Sequence, residues 1–261
     1  MAFLGGATDL DKNVSMMRII LSFSQFMLIL APTLFFTRLQ TDEVKKHLRL
    51  RMPKFPILLL SILGIILLQP PLQSYLHLQE KILDSIPFIQ DTLKQMKDFF
   101  DLLETSTMKI VKAYSVTEFL VVVFVIGLTP SICEEFLFRG FVLKNFEKVT
   151  KPSTAIFFSA FIFGMYHFQP FNIVPLVALG GYLGFVVYCS NSVLTGVACH
   201  FVNNFLAAFY VYKFGKDEID TPKISSSQET DLLITLAVSL ILFGSIVFLI
   251  DKFKTKEKVI E

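Results

Sequence analysis

Glu134, Glu135 and Arg139 stand in one of the most apolar stretches of this chain, after the run Phe119–Leu128 and on either side of Phe136-Leu137-Phe138. An ionisable group at bilayer depth costs about 2.5–3.5 kcal/mol on insertion scales. Three of them within six residues would cost roughly 8–10 kcal/mol if nothing compensated. Such a cluster persists when it is paired, when it lines a wet cavity, or when it does chemistry. The other strongly polar side chains in apolar surroundings are few: His167, His200, Asn203 and Asn204. Carboxylate and imidazole together suit proton transfer. Two imidazoles and a carboxylate also make a plausible zinc site with a position open for water.

The spacings sort these residues. Glu135 and Arg139 are i and i+4, so they share a helix face and can pair. His200 and Asn204 have the same spacing, as do Phe163 and His167. Glu134 and His167 lie at equal distances from the turn around Thr150-Lys151-Pro152. In an antiparallel hairpin each sits about 16 residues from that turn, roughly 24 Å of helix rise, so they are level. The same construction carried through the next two turns leaves His200 about eight residues, roughly 12 Å, out of level.

Elements that could hold these residues follow from hydropathy. The chain is 53% hydrophobic with 29 Phe and no Trp, and its mean hydropathy is +0.61. Several runs approach the ~20 apolar residues that span a bilayer. They are Met16–Phe36, Phe55–Leu68, Phe119–Phe138, Thr154–Phe168, Phe171–Tyr188, Val193–Tyr212 and Leu232–Ile250. The expected fold is therefore all-α, a polytopic membrane bundle of about seven spans. Pro70-Pro71 is expected to close the short second one. Gln79–Lys112 mixes charges with regularly spaced Ile, Leu and Phe, which reads as an amphipathic helix on the membrane or capping the bundle. Lys213–Thr230 reads as a polar loop. No cleavable signal peptide is expected, because the first apolar run is long enough to span.

Basic residues cluster in three places: Arg38–Lys54, Arg139–Lys151 and the tail from Lys252 to Lys258. With seven spans these fall on one side, which predicts a cytoplasmic C-terminus. A net charge of +2 gives no reason to expect nucleic acid as a partner. Cys133, Cys189 and Cys199 lie in apolar helices without paired spacing, so packing is the expected role. His47 and His77 lie outside the apolar cores and are expected to be solvated or interfacial.

Glu134-Glu135-Phe136-Leu137-Phe138-Arg139 resembles the EExxxR signature of the CAAX prenyl endopeptidase and bacteriocin-processing family, also called the abortive-infection family. Phe163–His167 resembles its FxxxH motif and His200–Asn204 its HxxxN motif. Three motifs in order on successive helices make the match specific, and it covers about 116–212. The organisation expected is N-terminal helices and the amphipathic segment over 1–115, a protease core over 116–212, and a loop, last span and tail over 213–261.

The resemblance implies an intramembrane endopeptidase that cleaves a membrane-associated or lipidated peptide, with Glu134, His167, His200 and Asn204 catalytic. Glu134 would activate water with His167. His200 and Asn204 would hold the oxyanion. Glu135 and Arg139 would be structural support, and Phe163 would pack or line the substrate. A glutamate-dependent mechanism without cofactor is preferred. Zinc on Glu134, His167 and His200 is the alternative. The expected partners are the lipid bilayer and a peptide or protein substrate, in a prokaryotic cell membrane. Bland readings compete: Ser131-x-x-Glu134 fits a capping box after Pro130, and each His or Asn alone could be interhelical glue. A non-catalytic immunity or regulatory scaffold, and a proton-linked transporter, remain as other functions.

Overall fold

The computed structural model describes residues 13–215 and 226–254. The described part is helical, with no strand. We number its helices α1 Val14–Gln40, α2 Val44–His47, α3 Phe55–Asp84, α4 Gln90–Val111, α5 Val116–Glu147, α6 Pro152–Tyr166, α7 Ile173–Ser190, α8 Val193–Phe214 and α9 Ser226–Lys252. Six of them (α1, α3, α5, α7, α8 and α9) contain stretches long and apolar enough to cross a membrane. The chain is thus a multi-pass membrane helical bundle. The expected seventh span, α6, is apolar but only 15 residues long. That is about 22 Å of helix, short of the ~30 Å hydrocarbon core, and His167 caps its C-terminus.

Two expectations about boundaries change. Pro70-Pro71 does not close the second span; α3 runs 30 residues through both prolines to Asp84. Membrane helices tolerate Pro because neighbouring groups satisfy the freed carbonyls. The amphipathic segment is consequently split: its first residues finish α3, a turn at Pro87–Ile89 follows, and α4 is the amphipathic helix proper. The polar loop falls largely outside the described residues, as do Lys256 and Lys258 of the tail.

A core of Ile65, Leu68, Leu179, Tyr182, Leu183, Val186, Cys199 and Ile250 joins α3, α7, α8 and α9. Small residues set the close approaches, as is usual between membrane helices. Along the α6–α7 hairpin, Gly180 lies against Ala160 and Phe163, and Gly184 against Ile156. On α3, Gly64 makes room for the Tyr182 ring, whose hydroxyl donates to Ser61 O at 2.7 Å. All three cysteines are buried and free, in keeping with packing roles.

The basic segments gather at one end of the bundle. Arg49 pairs with Glu147 at the end of α5, the His47 ring lies 6.4 Å from Phe141, Arg51 donates to Asn191 O, and Lys254 lies over Tyr188. His47 is buried there rather than solvated. Burial, then Lys148, Lys144 and Arg49, push its pKa below the usual histidine range. At the opposite end Arg18 donates to Ile110 O and Lys112 O, fastening the end of α4 to α1.

A methyl group at Gly64 would lie 2.8 Å from Tyr182 Cζ. Gly64→Ala should therefore destabilise by about 1–3 kcal/mol through overpacking. Tyr182→Phe should cost only its hydrogen bond, about 1 kcal/mol. Thermal unfolding in detergent should also show Gly64→Ala to be milder in the Tyr182→Phe background than alone.

Candidate active site

Helix α5 is not uniform. Turns of π-helix at Val123–Leu128 and Phe136–Val142 flank an α-helical stretch, Thr129–Glu135. Pro130 has no N–H to offer Ile126 O, its i−4 carbonyl. Asn204 of α8 fills that place, its Nδ2 donating to Ile126 O at 3.1 Å. Thr129 Oγ1 donates to Phe124 O and Ser131 Oγ to Gly127 O. The helix runs through Ser131, so the capping-box reading of Ser131 and Glu134 does not hold.

Glu135 is the node of the cluster and is wholly buried. Arg139 Nη1 donates to its Oε1 at 2.6 Å, and Arg139 Nη2 donates to Gly180 O at 3.1 Å. The pair expected from i, i+4 spacing is present, but it is not the whole of the arrangement. His200 Nδ1 also meets Glu135 Oε1, at 3.0 Å. A carboxylate accepts, so Nδ1 carries the proton. Gly196 brings the α8 backbone against this carboxylate, since a Cβ there would lie 2.5 Å from Glu135 Oε2. The level count that put His200 out of reach went through α7. Helix α8 instead packs directly on α5, with Gly196 at Glu135, Phe201 at Gly127 and Asn204 at Ile126.

Glu134 stands apart from that network. It is 6% exposed, and its Oε2 has no hydrogen-bond partner in the protein. The facing group is His167, whose Nε2 lies 3.9 Å from Glu134 Oε2, as the level argument expects. His167 Nδ1 meets Phe163 O at 2.8 Å. A carbonyl only accepts, so Nδ1 is protonated and neutral His167 presents Nε2 as an acceptor. Two acceptors therefore face each other across a gap too long for a direct hydrogen bond. A water between them, donating one O–H to each, would satisfy both.

Phe163 packs at the centre of these groups. Its ring lies 4.4 Å from the Arg139 guanidinium carbon and 4.6 Å from the His167 ring, with the His200 ring 6.0 Å away and Phe138 edge-on. It is fully buried, so it reads as packing within the cluster. Asn204 continues the polar chain: Asn203 Nδ2 donates to Asn204 Oδ1, and Gln69 Nε2 of α3 donates to Asn203 Oδ1. Asn204 keeps one N–H beyond the one given to Ile126. Gln69, Gly180 and Gly196 were not singled out from sequence. The glycines had a signal, small residues inside apolar helices; Gln69, next to Pro70, had none that separated it from an ordinary polar residue.

The donor set for a metal is not assembled. Among the described residues no three His, Cys, Asp or Glu side chains are grouped to hold an ion. His200 has its Nδ1 committed to Glu135, and Glu134 and His167 face each other at 3.9 Å.

Residues 116–206 match the family described as type II CAAX prenyl endopeptidase Rce1-like. This segment belongs to that family. It spans α5 through most of α8 and contains Glu134, Glu135, Arg139, His167, His200 and Asn204. No curated protein and no solved structure matches the chain. The Rce1-like segment gives the chain the general character of a CAAX-type intramembrane protease.

Arg139→Met should be strongly destabilising, by about 3–5 kcal/mol, because it leaves Glu135 buried without its cation. Adding Glu135→Gln should recover much of that loss, as the remaining pair is then neutral. Thermal unfolding of the two variants in one detergent reads the difference.

Proposed function

We propose that the chain hydrolyses a peptide bond of a membrane-associated or lipidated peptide, with Glu134 as the general base. The observation that carries this reading is the pair of facing acceptors, Glu134 Oε2 and His167 Nε2, 3.9 Å apart. A water donating one O–H to each is oriented by both and loses its proton to Glu134 as it attacks the carbonyl carbon. The proton then passes to the leaving amine. Phe163 O supports the role of His167 by holding the tautomer that leaves Nε2 open.

The oxyanion of the tetrahedral intermediate falls to His200 and Asn204, one helical turn apart on α8. Asn204 has a second N–H to give. His200 is the second group on that face, with its ring held by Nδ1 against Glu135 Oε1. Glu135 and Arg139 position His200 and do not touch substrate. We assign this chemistry to a core over 116–212, in a cell membrane with the basic end of the bundle cytoplasmic. No step is routed through a metal.

The test is incubation of the detergent-purified protein with a prenylated CAAX peptide and a panel of membrane peptides, with and without a chelator. Cleavage should persist with the chelator and fall by at least about 10²-fold in Glu134→Ala. Asn204→Ala should lose about 10²–10³ in kcat, the usual cost of an oxyanion donor. A Glu134→Ala protein that cleaves as fast as the parent would overturn the assignment.

A further inference from the structure

The basic end of the bundle holds a hollow that the proteolytic reading does not use. It encloses about 240 Å³ and is lined by Lys45, Lys46, Arg49, Leu50, Arg51 and Asn191. Four of these six carry positive charge and none is acidic. Nearby carboxylates are already engaged: Glu43 pairs with Lys46, and Glu147 pairs with Arg49 and lies 3.9 Å from Lys144.

The walls are built rather than draped. Arg49 adopts a left-handed backbone, φ 54°, which is strained for a non-glycine residue. The surrounding bonds hold it there. Its N–H donates to Lys46 O, its carbonyl accepts from Val193 N, and Leu50 N donates to Lys45 O. Arg51 is fixed on both sides, Nε donating to Asn191 O at 2.6 Å and its carbonyl accepting from Ser192 Oγ. Asn191 is itself left-handed, φ 50°, and precedes the start of α8, whose positive dipole end adds to the field.

Arg49 is the second, independent sign. It is 6% exposed, and only Nη2 has a protein partner; Nε and Nη1 have none. A buried guanidinium with unmet N–H groups beside two lysines and a second arginine is a site short of acceptor oxygens. A phosphate supplies several such oxygens with compensating charge. The hollow lies at the ends of membrane-spanning helices, the level at which a bilayer presents lipid phosphates.

The geometry points to a phosphate-binding site at Lys45, Lys46, Arg49 and Arg51, filled by the phosphate of an anionic lipid headgroup or by free phosphate. A single phosphate there links the loop between α1 and α3 to the start of α8, the helix that carries His200 and Asn204. The site stands whether or not the chain is a protease, and binding reads it directly.

The purified full chain in neutral detergent is titrated with short-chain phosphatidic acid, with phosphatidylcholine of the same chain length, and with inorganic phosphate. Binding is followed by native mass spectrometry and by thermal unfolding. Phosphatidic acid should bind and raise the unfolding temperature, and phosphatidylcholine should do neither. A response to phosphatidic acid without one to inorganic phosphate identifies the headgroup; an equal response identifies free phosphate. Lys45→Gln with Arg51→Gln should weaken binding by about fivefold or more per charge removed. Asn191→Asp, isosteric and tolerant of the left-handed backbone, should weaken it without lowering the unfolding temperature of the unliganded protein. If neither phosphate source binds, or if Asn191→Asp binds as tightly as the parent, the site does not exist.

Discussion

The buried charge of Glu135 constrains everything around it. A carboxylate with no exposure to solvent is tolerable only when a cation and hydrogen-bond donors reach it, and here they come from two helices. Arg139 supplies the cation from the same helix, His200 supplies a donor from α8, and Gly196 lets α8 come close enough for this. Arg139 in turn fastens to a carbonyl of α7. Satisfying one carboxylate thus sets the mutual placement of α5, α7 and α8. It also orients the imidazole of His200, whose Nδ1 face is committed to this contact.

The irregularities of α5 serve the same end. Pro130 removes a donor that Ile126 O would otherwise have, and that carbonyl becomes the seat of Asn204. The short α6 stops at Tyr166, below the length of a full span, and delivers His167 at the depth of Glu134. A straight α5 and a full-length α6 would place neither group. The family match over 116–206 covers these same elements, while the basic loop between α1 and α3, α4 and α9 lie outside it.

Much of this was legible in the residues. Apolar runs gave the bundle, because a bilayer sets the length of what crosses it. The pairing of Glu135 with Arg139 and the level placement of Glu134 and His167 depended only on helix periodicity and one hairpin turn. The contact of His200 with Glu135 was not legible, because the count followed the chain through α7 while the contact is made directly between α5 and α8. The persistence of α3 beyond Pro70-Pro71 was missed for a related reason. Proline is a breaker by local rules, and tertiary neighbours decide whether the helix resumes. His47 looked solvated because its sequence neighbours are lysines; the loop folds it under the end of α5 instead.

The division of labour between the two adjacent glutamates is the centre of the account. Each has an Oε2 that no protein group satisfies, but Glu135 has its Oε1 held by Arg139 and His200 and stabilises the bundle, whereas Glu134 has only the longer approach of His167, at 3.9 Å. The direct measurement is thermal unfolding of Glu134→Gln and Glu135→Gln beside the parent. Glu134→Gln should leave the unfolding temperature unchanged or raise it, and Glu135→Gln should lower it by several degrees. The reverse order, or equal losses in both, would contradict the account.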